Sequence, residues 1–417
     1  MKVAILGYGT VGSAVVKFLL ENDKLIRARC GQSITPVIAL ARSPKKNALI
    51  PITHSVEEIL NADVDVFVEL MGGVDEAFKI VSEILKKKKA VVTANKAMLA
   101  YHRYELENLA KNLAFGYEAS VAGGIPIIKV LKEGLSANNI LAIKGILNGT
   151  SNYILSSMSQ KNMSFEQALQ IAQNLGYAEA DPTFDIEGQD AAHKLLVLSS
   201  IAYNLKAKPE DILIEGISEI GPEDMYFANE FEFTIKLLGI AKVRENKVEL
   251  RVHPTMIDKE KMLAKVDGVM NAISINGDLL GESLYYGAGA GGEATASAVI
   301  SDLMDIARDQ VKAPMLGFVN TLEYELLSKD EIYTKYYLRV KVEDKIGVLS
   351  KITQLMSENN ISIDSFLQKP KKNDENYSTL FFTTHLTYEK SIQNLLEILR
   401  KQDFIKTKPF MMRIESV

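Results

Sequence analysis

The chain is poor in the residues that build covalent or metal scaffolds: one cysteine, Cys30, and five scattered histidines among 417 residues. A lone thiol excludes an internal disulfide and fits a reducing compartment. It also leaves no ligand set for a zinc site of the Cys/His kind. No apolar run approaches the roughly 20 residues that span a bilayer. The first residues, MKVAILGYG, pass straight into a strand and a glycine turn, which predicts no cleaved leader and a cytoplasmic location. A net charge of -5 gives no reason to expect nucleic acid or an anionic membrane as a partner. What is there is ordinary globular composition, 47% hydrophobic and 24% charged, on a chain too long for one core. Two or three domains are expected.

Residues 2 to 6 read as an apolar strand, followed by Gly7-Tyr8-Gly9-Thr10-Val11-Gly12 and a helical run. A GxGxxG between strand and helix lets backbone amides approach a pyrophosphate, although alone the pattern also describes any glycine-rich turn. Further apolar strands alternate with helices at 36 to 41, 64 to 70, 90 to 93 and 113 to 118. That alternation predicts an α/β, Rossmann-type, doubly wound parallel sheet. Arg42 closes the second strand, with Lys45 and Lys46 nearby. A cation there suits a 2′-phosphate, so NADP is expected over NAD. At the next strand ends stand Glu69-Leu70-Met71-Gly72-Gly73 and Thr93-Ala94-Asn95-Lys96. Lys96 opens a helix, where the macrodipole disfavours a cation, so a function is expected of it. Lys86 to Lys89 end a helix and read as solvated surface.

After Glu118 comes a turn short of side-chain donors, Ala119 to Pro126. Its carbonyls suit a hard monovalent cation, and an interdomain crossover suits the pattern equally. The helix Ile127 to Leu135, the strand Ile140 to Leu147 and the polar turn Asn148-Gly149-Thr150-Ser151-Asn152-Tyr153 lead to the most charged stretch, Gly176 to Lys194. That stretch sets Glu179, Asp181, Asp185, Glu187 and Asp190 ahead of Lys194. A helix from Gln189 to Ser200 puts Asp190 and Lys194 on one face. By spacing alone this is also a solvated acidic loop with an i,i+4 pair.

Further on, Phe231 to Lys242 reads as an amphipathic helix, with antiparallel strands at 248 to 253, 269 to 276 and 283 to 286. Gly287 to Gly292 repeats GxGxxG without a βαβ unit and reads as a backbone lid over the cofactor, ahead of a helix from Glu293 to Lys312. From 334 onward the order is strand, helix, strand, strand, helix, strand, the ferredoxin-like βαββαβ. Its first loop, Glu343 to Leu349, sets an acid beside a helix N-terminus, as an amino-acid ligand or a plain dimerisation module would require.

Taken with GYGTVG, the segments VVTANKA (91 to 97), NGTSNYIL (148 to 155), GYAEADPTFDIEGQDAAHK and GAGAGG make the whole chain resemble the homoserine dehydrogenases that carry a C-terminal ACT domain. The resemblance implies three parts: a dinucleotide domain over 1-125 completed by a helix at about 293-327, an α+β substrate domain with a mainly antiparallel sheet over 126-292, and an ACT domain over 334-417. It implies reversible reduction of L-aspartate 4-semialdehyde to L-homoserine with NADPH or NADH, leaving NADP or NAD. Lys194 falls on the proton donor and Lys96 on the second active-site lysine. Asp190, Glu179, Asp185 and Thr150 fall on the substrate pocket. Gly7, Tyr8, Gly9, Thr10, Val11, Gly12, Arg42, Thr93, Lys96, Gly176 and Gly292 fall on the cofactor. Glu118, Val121, Gly123 and Ile125 fall on a sodium site. Asp344, Gly347, Val348 and Leu349 become candidates for an effector, threonine first, and a homodimer or homotetramer is expected. An aspartate semialdehyde dehydrogenase would need a thiolate at the cofactor edge, and Cys30 precedes the second strand. A non-catalytic sensor or another amino-acid dehydrogenase would not need the full set of motifs.

Overall fold

The computed structural model describes residues 1–309, 314–320, 322, 324–368 and 377–415. They form two compact units, each assembled from separate stretches of chain. The first comprises Met1–Gly149, Asp190–Ile212 and Met270–Tyr324.

In this unit Val3, Ala4, Ile5 and Leu6 are fully buried, as a strand covered on both faces must be. Six parallel strands lie in the order Ile52–Thr53, Thr35–Leu40, Lys2–Leu6, Val66–Glu69, Ala90–Thr93, Phe115–Gly116. The chain winds one way from Lys2–Leu6 and then the other, so the switch point lies between Lys2–Leu6 and Val66–Glu69, where such sheets bind ligands. The helices Thr10–Glu21 and Gly292–Ala307 close the core with Val15, Val16, Leu19, Ala296, Val299 and Leu303. Several predicted bounds change. The strand at 113 to 118 shrinks to Phe115–Gly116, because Glu118–Ser120 coils into a 3-10 turn. The helix predicted from Glu293 to Lys312 runs Gly292–Ala307, and positions 310 to 312 lie outside the described residues. The unit also holds an antiparallel sheet in which Met270–Gly277 lies between Gly281–Ala288 and Ile140–Ile146.

The second unit comprises Thr150–Gln189, Leu213–Val269 and Glu325–Val417. The amphipathic helix expected over Phe231 to Lys242 is instead a strand, Phe233–Arg244, paired along its length with Lys247–Asp258. Ile235, Leu237, Leu238, Ile240 and Ala241 are all buried, so no polar face exists for a helix to turn to water. The two-residue turn Glu245-Asn246, with Glu245 at φ 58°, closes the hairpin, and pairing overrides the local periodicity. The predicted βαββαβ is present as Tyr333–Glu343, Val348–Glu358, Ile363–Gln368, Tyr377–Thr384, Glu389–Arg400 and Phe410–Ile414. Its antiparallel strands enclose Leu338, Val340, Ile352, Phe382, Ile392 and Leu395. Phe410–Ile414 also pairs in parallel with Thr255 and Met256, joining this module to the hairpin.

Candidate active site

At the switch point the first strand ends on the glycine turn. Gly7 has φ +108°, and a Cβ at Gly12 would stand 2.0 Å from the Gly7 carbonyl oxygen, so position 12 admits only glycine. Helix Thr10–Glu21 starts from Gly9 with no acid in its first turn, which leaves its amides open to an anion. Tyr8 is buried, and its hydroxyl accepts from the Leu49 amide at 3.1 Å. The second glycine loop, Gly287 to Gly292, lies against the start of helix Thr10–Glu21 and the turn at Gly124. The Gly124 amide donates to the Ala288 carbonyl at 3.0 Å, and a Cβ on Gly292 would meet Thr10 Cγ2 at 3.1 Å. Arg42 stands 87% exposed at the end of its strand and pairs with Glu76 at 3.3 Å, a contact that water largely screens.

The next two strand ends are tied by an acid to which the motifs assign no role. Glu69 is fully buried; its carboxylate accepts from the Thr93 hydroxyl at 2.6 Å and the Met71 amide at 2.8 Å. Burial pushes the Glu69 carboxyl up, and these bonds oppose the rise. The Thr93 hydroxyl in turn accepts from the Asn95 amide at 3.0 Å, and Asn95 caps the helix that Lys96 opens by accepting from the Met98 amide. Thr93, expected to touch the cofactor, therefore spends its side chain on orienting the turn before Lys96. The one sequence signal for Glu69 is an acid closing an otherwise apolar strand.

Lys96 reaches Asp190 Oδ1 at 3.0 Å, while Lys194 reaches Asp190 Oδ2 at 2.8 Å. One carboxylate thus bridges two ammonium groups. The Lys194 ammonium also donates to the Leu147 carbonyl at 2.7 Å, and the Asn148 amide donates to Asp190 Oδ2 at 2.9 Å. Asp190 and Lys194 are buried, whereas the Lys96 side chain is 34% exposed. Burial alone would raise the Asp190 carboxyl, but Lys194 and Lys96 beside it, with the bonds from Lys194 and Asn148, hold it well below the usual carboxylate range. The same contacts favour the ionised form of Asp190. In the sequence Asn148 is legible only as part of a polar turn.

The substrate residues expected elsewhere belong to the second unit. Gly176, at φ +75°, ends the turn after helix Phe165–Asn174. Glu179 is exposed, and Asp185 sits half-buried in the short helix Thr183–Ile186. The Thr150 hydroxyl donates to the Tyr177 carbonyl at 2.7 Å, and the Ser151 hydroxyl to the Asp185 carbonyl at 3.0 Å, so the polar turn holds the acidic segment by its backbone. Asp181, unexplained by sequence, accepts from the amide and hydroxyl of Thr183 and steadies the start of that helix.

In the turn after Phe115–Gly116, the Glu118 carboxylate accepts from the Ile128 and Lys129 amides at 2.8 and 2.9 Å. Among the described residues the backbone bonds of the turn use the carbonyls of Tyr117, Ala122 and Ile125 but not those of Val121 or Gly123. Buried carbonyl oxygens left open in this way fit a monovalent cation. Asp302 accepts from the Glu118 amide at 2.8 Å. Burial and the neighbouring Asp302 push the Glu118 carboxyl from 4.5 up to about 7, and burial raises Asp302 from 3.8 to about 6. In the loop after Tyr333–Glu343, Glu343 is held by Lys345 and Lys406, and Gly347 at φ +87° leads into Val348–Glu358. Asp344 and Leu349 are exposed and Val348 is buried.

A carbonyl that accepts a hydride needs a cation and a proton donor within reach of a dinucleotide. The first unit carries a phosphate-ready glycine turn and two lysines around one carboxylate, which sets the chain among the NAD(P)-dependent oxidoreductases of the Rossmann class. Residues 7–117 match the model of the homoserine dehydrogenase NAD-binding domain, residues 126–304 that of homoserine dehydrogenase, and residues 336–404 that of the ACT domain. The homoserine dehydrogenase of Helicobacter pylori is 54% identical over 100% of this chain and 99% of its own length. That of Bacillus subtilis is 37% identical over 100% and 98%. The crystal structure of a homoserine dehydrogenase from Thiobacillus denitrificans superposes with a TM-score of 0.94 at 41% identity, covering 100% of this chain and 98% of the other. A hyperthermophilic archaeal homoserine dehydrogenase solved in complex with NADPH gives 0.62 at 27% identity, covering 73% and 96%. The chain belongs to the homoserine dehydrogenase family.

Proposed function

We propose that this protein catalyses the reversible NAD(P)H-dependent reduction of L-aspartate 4-semialdehyde to L-homoserine, on the route to threonine and methionine. The observation that carries this reading is the Lys96–Asp190–Lys194 cluster in the unit that bears the glycine turn. The bound dinucleotide supplies the hydride. As negative charge builds on the aldehyde oxygen, the Lys194 ammonium is suited to stabilise it and then to release a proton to it. Asp190 keeps both lysines in place, and Lys96, the more exposed of the two, can share the polarisation or return a proton from water. Glu179 and Asp190 are the carboxylates proposed for the substrate's α-ammonium, Asp185 and Thr150 are further residues proposed for the substrate, and Gly176 is one proposed for the cofactor. The functional division follows 1-125 with the returning helix, 126-292 and 334-417. The enzyme is a cytoplasmic homodimer or homotetramer in this reading, checked by sedimentation.

NADP is the preferred cofactor, supported by Arg42 at the second strand end and by the NADPH complex of the archaeal relative. We expect kcat/KM to be about tenfold higher with NADPH than with NADH, and Arg42→Ala to remove most of that difference, the scale of one charge-assisted contact. Equal kcat/KM values for the two cofactors in the wild type would end this proposal.

The open carbonyls of Val121 and Gly123, together with Glu118 and Ile125, are proposed to hold sodium. Without a cation, native Glu118 and Asp302 keep protons that the unfolded chain has already lost between about pH 4 and 7, so stability falls as pH rises through that window. A nearby cation lowers both carboxyls and flattens the fall. Urea denaturation at pH 7.5 should therefore give a higher midpoint in sodium chloride than in choline chloride of equal strength, with the gap closing near pH 4.5. An identical midpoint in both salts across the range would contradict the site. The ACT domain points to a small-molecule effector; threonine at Asp344, Gly347, Val348 and Leu349 is the proposed pairing, and threonine titration of the wild type against Leu349→Ala tests it.

A further inference from the structure

In strand Met270–Gly277, Ala272 stands opposite Ile146, the last residue of Ile140–Ile146. The next step of that register sets Asn271 beside Leu147, just past the strand end. There the Leu147 carbonyl accepts from two side chains, Asn271 Nδ2 at 3.1 Å and the Lys194 ammonium at 2.7 Å. The amide can face only this way, since turning it over would set its oxygen against the carbonyl. All three residues belong to the first unit.

Asn271 is buried, and its Oδ1 takes no hydrogen bond among the described residues. An open buried acceptor is costly, and filling the space would not require one. The second glycine loop is cut to fit the same amide. A Cβ at Gly289 would stand 2.0 Å from Asn271 Cγ and 2.1 Å from Nδ2. The Gly289 backbone is not left-handed, so room rather than conformation demands glycine there. A Cβ at Gly123, in the candidate cation turn, would in turn meet the Gly289 carbonyl oxygen at 2.8 Å, so the loop is fixed between that turn and Asn271.

We propose that Asn271 is a positioning residue for Lys194, and that Gly289 is glycine because this amide occupies the room a side chain would take. The role rests on Lys194 as the proton donor of the reaction proposed above. An ammonium offers three N–H bonds. Asp190 takes one and the Leu147 carbonyl another, so holding that carbonyl still aims the bond that is left. Asn271 does this without adding charge. The charged groups set about Lys194 are then Asp190 and, on the same carboxylate, Lys96.

The test reads Lys194 without turnover: the full-length protein is labelled with acetic anhydride over a pH series, and the Lys194 peptide is quantified by mass spectrometry. Asn271→Asp keeps the shape of the side chain, and is expected to fold even if Asn271→Ala does not. Its carboxylate favours the charged ammonium, so the half-labelling pH should rise by about one unit, and the pH at which reduction fails should rise with it. Asn271→Ala should lower kcat by about threefold to tenfold, the scale of one hydrogen bond, with KM for NADPH within about twofold. Gly289→Ala should cost a similar factor beside Asn271 but less than about twofold in the Asn271→Ala background, where the room exists. The proposal is overturned if Asn271→Asp labels as the wild type does, if Asn271→Ala keeps wild-type kcat, or if Gly289→Ala costs as much without Asn271 as with it. A wild type that does not reduce the semialdehyde would end the function proposed above, and the labelling would still decide the role of Asn271.

Discussion

Replacing Lys194 by alanine is expected to lower kcat by about 10² or more while NADPH still binds. The substitution removes the ammonium that donates to Asp190 and to the Leu147 carbonyl, and with it the donor proposed for an oxygen developing charge. The glycine turn shares no side-chain bond with Lys194, so cofactor affinity should hold. Lys194→Arg separates the two roles of the residue: it retains a cation but gives up its proton far less readily. Arginine at this position should therefore stay close to the alanine variant in kcat. Wild-type turnover in Lys194→Ala would refute the assignment, and near-wild-type turnover in Lys194→Arg would leave charge without proton donation.

The second large effect is on stability. Arg413→Met is expected to destabilise the protein by about 3–5 kcal/mol, the scale of breaking one side of a buried ion pair. Arg413 is fully buried in strand Phe410–Ile414, its Nε donating to Glu389 Oε2 at 2.8 Å and its terminal nitrogens gripping Glu215. Burial opposes its charge, but Glu215 and Glu389 hold the proton firmly. Glu389 is itself buried and also accepts from the Tyr336 hydroxyl at 2.8 Å. Methionine fills the space and leaves Glu389 charged in an apolar setting. Pairing Arg413→Met with Glu389→Leu should recover part of the loss, since removing both partners costs less than stranding one. Urea denaturation measures both, and a loss under about 1 kcal/mol in the single variant would show that the pair adds little.

The same unit shows what local pattern can and cannot carry. The alternation of short apolar strands and helices over the first 118 residues was legible because a parallel sheet buries each strand on both faces, and burial writes itself as composition. The hairpin strand Phe233–Arg244 was not legible, because its apolar residues also recur at helical spacing and local pattern alone reads them as a helix. Its partner strand decided.

For the site, the sequence by itself determined the glycine turn, whose backbone no other residue type at Gly12 permits, and the Asp190–Lys194 pair, which four residues of helix bring together unaided. Only the tertiary structure decided that Lys96 shares the same carboxylate, that Asn148 supports it, and that Glu69 fastens two strand ends through Thr93. The physical reason is range. Turn geometry and helix spacing act over a few residues, whereas a buried charge must find its partners wherever the fold brings them, and no local pattern encodes that meeting.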